Sequence, residues 1–212
     1  FVIVVFGVFF GIQVANWNED RLIRAKAEVF TARLKEHLKA EAWRYQFLLE
    51  YYRDVRDATE AAADALSGKA PLSNEVFLVH AYRATQYKQG ASRRATYDEL
   101  ISTGNVGLIE DRKLLNLAVR AYSVVTIDAT VKEGVESPYR ALFRMSVSND
   151  TQRALAKQCG DRYILPGDYT DFDHVIDYAC ESGLPDAEVD AAAEALRADP
   201  QTLRFLRLRV AD

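Results

Sequence analysis

The side chains best equipped for chemistry are thinly spread along this chain. It has three histidines, His37, His80 and His174, and two cysteines, Cys159 and Cys180. The histidines fall in three different stretches of helical periodicity, with no H-E-x-x-H or other metal-ligand spacing. There is no G-x-S-x-G, Walker loop or G-x-G-x-x-G. Gly104 and Gly107 flank only Asn105 and Val106, too short a stretch to cradle a phosphate, and read as a turn. The acidic neighbours Asp98/Glu99, Glu110/Asp111 and Asp171/Asp173 read as caps and solvated charges. Adjacent helical residues point apart, and first-turn carboxylates complement the helix dipole. The expectation is a protein that is not an enzyme and holds no cofactor and no metal.

The cysteines are the remaining reactive pair. Cys159 ends one predicted helix and Cys180 lies in the next, across an irregular loop containing Gly160, Pro166 and Gly167. A hairpin there brings them within the ~6 Å Cα separation a disulfide needs. In the loop-entropy description such a bond contributes about 3 kcal/mol, provided the compartment is oxidising. The competing reading is two unrelated buried thiols.

Composition narrows the elements that must position these groups. Lys and Arg number 27 against 31 Asp and Glu, a net charge of −4, which argues against a nucleic-acid partner. With 49% apolar and 27% charged residues, the chain can bury a core and is not disordered. Ten glycines and five prolines in 212 residues are too few for a sandwich or barrel, so long helices are expected.

Phe1 to Ala15 carries no charge and one polar side chain, Gln13. Trp17 follows at the place of an interfacial aromatic, and Asn16, Asn18, Glu19, Asp20 and Arg21 mark an exit into water. We read residues 1–17 as a transmembrane anchor contacting the lipid bilayer. It is N-terminally incomplete, because a bilayer core takes about 20 helical residues. A signal peptide fits less well, since Gln13 occupies the −3 position of a cut after Ala15. A buried core helix is rarely uncharged for so long. Gly7 and Gly11 form a G-x-x-x-G pair on one helix face, which suits close contact with another transmembrane helix, from a different subunit or a second copy.

Beyond the anchor, residues 18–212 read as a helical extramembrane domain. No glycine or proline occurs from Ile12 to Ser67, and Leu22, Val29, Phe30, Leu34, Leu38, Tyr45, Leu48, Tyr52 and Val55 recur at three or four residues, a helical stripe. Gly68 and Pro71 end it. Ser73 or Asn74 opens a helix to about Lys88. A short helix covers 96–103, and Asp111 starts one to about Glu133, which Gly134 and Pro138 interrupt. Further helices run over 139–147, 150–157, 172–180 and from Pro185 to Arg197. The last segment, from Pro200, reads as helix, although Leu206, Leu208 and Val210 alternate with arginines in a strand-like way.

A structural corner is expected at 97–111. Tyr97, Leu100 and Ile101 lie at i, i+3 and i+4 and should face inward. Gly104 should end their helix with a left-handed backbone, Asn105 should bond its own backbone in the turn, and Asp111 should cap the next helix.

Two blocks carry a resemblance. The segment VVFGVFFGIQVANWNEDR, with Gly7, Gly11, Gln13, Val14, Asn16, Trp17, Asn18 and Glu19, resembles the start of a family of uncharacterised bacterial inner-membrane proteins. Ala15 departs from that family's more usual Asn. TYDELISTGNVGLIEDRKLL, with Tyr97, Leu100, Ile101, Thr103, Gly104, Asn105, Leu108, Ile109 and Asp111, is similar to its second signature. The family is one of unknown function. The resemblance implies a cytoplasmic amino end, one crossing of the bacterial inner membrane and a helical domain in the periplasm. It brings no catalytic residues.

The sequence thus predicts an all-α protein, a single transmembrane helix continuing into a periplasmic antiparallel helical bundle. The expected role is that of a non-catalytic accessory or scaffolding subunit of a larger inner-membrane complex, of respiratory or photosynthetic type. The alternative is a homodimeric periplasmic sensor or ligand-binding ectodomain.

Overall fold

The structure, a computed structural model, describes residues 2–123, 126–171 and 174–211, and their side chains except at 2–5, 126–128 and 211. It is 74% helix with no strand among the described residues, as the glycine-poor composition leads one to expect. The helices are α1 (Val2–Leu66), α2 (Asn74–Arg83), α3 (Ala95–Ser102), α4 (Arg112–Ser123), α5 (Thr126–Val135), α6 (Pro138–Ser146), α7 (Asn149–Cys159), α8 (Asp186–Ala198) and α9 (Pro200–Ala211), with a 3-10 turn at Asn105–Leu108. The carboxy-terminal segment, ambiguous in sequence, is helical.

Local chemistry sets most boundaries. The hydroxyls of Ser73, Ser137 and Ser148 accept from backbone N–H groups two or three residues into α2, α6 and α7, satisfying donors that the first turn of a helix leaves unpaired. Pro138 stands at the start of α6, where its missing N–H costs nothing. α1 ends at Leu66 before Gly68, whose φ is +77°.

Three expectations need correction. First, among the described residues no helix is long and apolar enough to cross a membrane. α1 is continuous through the anchor region, but its apolar run stops at Ala15, before Asn16, Asn18, Glu19, Asp20 and Arg21. The described residues therefore do not support a transmembrane helix. Second, the helix expected over 172–180 does not form: residues 174–180 are irregular apart from a single 3-10 position. The segment is held by tertiary contacts rather than by its own periodicity. Third, the break expected at Gly134 comes one residue later: α5 runs through Gly134 and ends at Val135. A Cβ at Gly134 would stand 2.6 Å from Tyr87 Cβ, so this glycine permits close approach. The helix expected over 111–133 corresponds to α4 and α5, with residues 124 and 125 outside the described ones.

The chain forms two compact units. The first comprises Phe1–Ala42 and Ala91–Val124. Phe30, Leu34 and Leu38, at i, i+4 and i+8 on α1, make a buried stripe closed by Leu100 of α3, Ile109, and Leu115 and Ala118 of α4. Arg33 pairs with Glu99 at 3.0 Å, and Glu41, 1% exposed, accepts from the Arg93 backbone N–H at 2.6 Å.

The second unit comprises Trp43–Gly90 and Val125–Asp212. In it α2 packs on α7 and α8, and α6 on α8 and α9. Their core is built from Phe77, Leu78, Tyr139, Phe143, Leu155, Leu196 and Leu206, with Ala62, Ala81, Ala192 and Ala193 buried among them. Along α1 a separate column of rings, Trp43, Phe47 and Tyr51, repeats every four residues. Its centroids lie 5.0 and 6.4 Å apart, and it buries Val175 and Ile176.

Candidate functional site

The amino end of α1 presents the most unusual surface. Phe6, Val8, Phe9, Phe10, Ile12, Val14 and Trp17 are each more than half exposed, from 54% to 63%. Apolar side chains point outward all round this stretch, whereas a water-facing helix hides its apolar residues on one stripe. Gly7 and Gly11 share this stretch, and a Cβ at either would meet nothing within 4 Å, so their face is open.

At the corner in the first unit, Leu100 is fully buried, Tyr97 packs beside it and against Tyr122 at 5.0 Å, and Gly104 has φ +69°. Two positions differ from expectation. Ile101 is 52% exposed, because α3 has only two turns and the buried face is filled by Thr96 and Leu100. Asn105 donates to the Thr103 hydroxyl at 2.7 Å rather than to its own backbone. Asp111 Oδ1 accepts from the backbone N–H groups of Lys113 and Leu114 at 3.0 and 3.1 Å, the geometry of a cap.

Cys159 and Cys180 are disulfide-bonded, with Cα atoms 5.5 Å apart. Cys159 is the last residue of α7 and Cys180 lies in the irregular segment. Arg83 of α2 reinforces the tie: its Nη2 donates to Tyr178 O at 2.6 Å and lies 3.4 Å from Cys180 Sγ. Further back in this stretch, Trp43 Nε1 donates to Asp168 O at 2.6 Å. Asp161 accepts from the Tyr51 hydroxyl at 3.1 Å and from Lys88 Nζ at 2.7 Å. Burial, with Asp161 beside it, drives the Tyr51 phenol far above its usual range, so it serves as a neutral donor.

A small cavity of about 80 Å³ lies beside this segment, lined among others by Asp54 and Asp57 of α1, His80 and Arg83 of α2, and Asp177. Asp54 Oδ2, His80 Nδ1 and Arg83 Nε are buried without a protein hydrogen-bond partner. Burial, then the charges of Asp177, Asp57 and Glu50, push Asp54 up to about 6, against a smaller lowering by His174. Burial and the nearby Arg83 hold His80 below its usual value, opposed by Asp177, which favours the neutral ring. Sequence reasoning missed this cluster because its members come from three separate segments, with 23 positions between Asp57 and His80 and 94 between Arg83 and Asp177. The one local signal is Arg83 itself, four residues after Val79 on the buried side of α2 and only 5% exposed.

A larger cleft of about 460 Å³ is lined by Glu75, Glu181, Asp186 and Asp190 with Asn74 and Ser182. Glu75 spends its carboxylate on the Ser182 N–H and hydroxyl at 2.5 and 3.0 Å, so it serves as a structural clamp. Among the described residues no group of three or more His, Cys, Asp or Glu is placed to hold a metal ion. No family model, curated protein or solved structure matches this chain.

Proposed function

We propose that the protein is a membrane-attached, all-helical accessory or scaffolding subunit of a larger inner-membrane assembly, belonging to the uncharacterised family that its two signatures resemble. The observation that carries the reading is the uncharged, predominantly apolar and outward-facing amino end of α1, from Phe6 to Trp17. Exposed apolar area costs about 25 cal/mol per Å² in water, and a patch of this kind marks a lipid or protein contact. In this reading the apolar end inserts among lipids or neighbouring transmembrane helices, with Gly7 and Gly11 at the helix contact and Trp17 at the interface. The remaining helices stand in the periplasm, where oxidising conditions suit the Cys159–Cys180 bond. The role is contact rather than catalysis, with a respiratory or photosynthetic complex as a candidate host.

The test is purification in mild detergent from native membranes, followed by mass spectrometry of what accompanies the chain. Integral membrane subunits in fixed proportion are expected, and Gly11→Leu should reduce their recovery while the chain stays with the membrane. Release of the wild-type chain from membranes by an alkaline carbonate wash would overturn the reading.

A further inference from the structure

Three elements of the second unit converge on Asp54: α1, α2 and the irregular segment 174–180. The segment is fastened at two places. Val175 and Ile176 are fully buried against the ring column, and Tyr178 O and Cys180 are held by Arg83 and the disulfide. Asp177 lies between these fastenings and lines the ~80 Å³ cavity together with Asp54.

The charges around Asp54 are lopsided. α1 supplies Glu50 and Asp57, and the segment supplies Asp177 against His174. α2 supplies Arg83, itself influenced by Asp177 and Asp54, and His80, whose burial favours the neutral ring. A charged Asp54 therefore adds a further carboxylate to a crowded, partly desolvated site. A protonated Asp54 removes that repulsion and gains a hydroxyl donor, in a cavity where His80 Nδ1 has no protein partner. At about 80 Å³ the cavity is large enough to hold a water molecule beside these groups.

We propose that Asp54 is a proton-operated clasp for segment 174–180: protonated, it holds the segment against α1 and α2, and on losing its proton it repels Asp177 and loosens the segment between its two fastenings. The disulfide bounds the motion at Cys180, and Val175 and Ile176 bound it at the other side. The sign follows from linkage. The folded carboxyl, at about 6 against an ordinary value of 3.8, keeps its proton where the unfolded chain has lost it. The closed form is thus most stable at low pH and weakens as pH rises through about 6. A segment without helical hydrogen bonds of its own opens more readily than the helices beside it.

Hydrogen exchange of the full chain, corrected for the intrinsic chemical rate at each pH, tests this. Peptides covering 174–180 should exchange roughly tenfold faster at about pH 7.5 than at about pH 5, the factor a one-unit shift would give. Asp54→Asn should hold the slow rate at both values. Asp177→Asn, which leaves Asp54 in place, should shrink the difference and stands as the test if Asp54→Asn does not fold. Equal exchange at the two pH values in the wild type overturns the proposal. So does an undiminished pH response in either variant, which would assign the effect to another group such as His174.

Discussion

The turn after α3 and the segment after α7 both carry the chain between helices, and they are secured by different forces. Residues 103–111 bury Ile109 against α1, but their hydrogen bonds go to their own neighbours. Thr103 bonds Glu99 O, Asn105 bonds Thr103, Gly104 takes the left-handed backbone, and Asp111 caps α4. The described residues of 160–185 also make local bonds, Thr170 to Asp168 and Leu184 to Ser182 among them. They are tied in addition to distant positions: Asp161 to Tyr51 and Lys88, Asp168 to Trp43, Tyr178 to Arg83, Ser182 to Glu75, and Cys180 to Cys159. The first kind of connection forms with its helices. The second forms only once the helices it touches are in place, and its stability is shared among contacts that can be removed one at a time.

The sharpest way to break this contrast is at the disulfide. Replacing both Cys159 and Cys180 by Ser should cost about 3 kcal/mol in urea unfolding. The accompanying rise in hydrogen exchange should fall in 160–185 and leave 103–111 unchanged; equal rises in both would dissolve the distinction. Next comes Arg83→Met, which keeps the aliphatic bulk but leaves the Tyr178 carbonyl without its 2.6 Å donor. A loss of about 2 kcal/mol is expected, with proteolytic nicking shifted to 174–182.

The corner should respond more mildly. Gly104→Ala meets no steric obstacle, since nothing lies within 4 Å of the added Cβ. Its cost is the conformational one of placing Ala at φ +69°, about 1 kcal/mol by thermal unfolding. Asp111→Ala removes the cap of α4 and should also cost about 1 kcal/mol, read as lost protection at the Lys113 and Leu114 amides. The smallest effect is at Asn105→Ala, which deletes one exposed side-chain bond and should stay within about 0.5 kcal/mol. A larger loss of partner recovery than of stability at Asn105 would mark the corner as a contact surface.

The residues explain which parts were readable. The Ser73 cap, the glycine that ends α3, the proline starts and the stripe Phe30–Leu34–Leu38 are statements about neighbours three or four positions apart, and each is visible in one dimension. Cys159 and Cys180 could be paired because only two cysteines exist. Ile101 misled because a helical stripe says which residues can share a face but not how wide the opposing surface is. Thr96 and Leu100 already fill the gap beneath α3.

The sequence by itself determined that the chain is helical, where its helices begin and end at capped sites, and that its amino end is apolar without charge. These follow from hydrogen-bond geometry and side-chain period, which act over one or two turns. Only the tertiary structure decided that residues 174–180 stay irregular. It alone brought Asp54 of α1, His80 and Arg83 of α2 and Asp177 around one cavity. Burial and charge depend on what the fold places nearby, and these four side chains become neighbours only after α1, α2 and the disulfide-tied segment have come together.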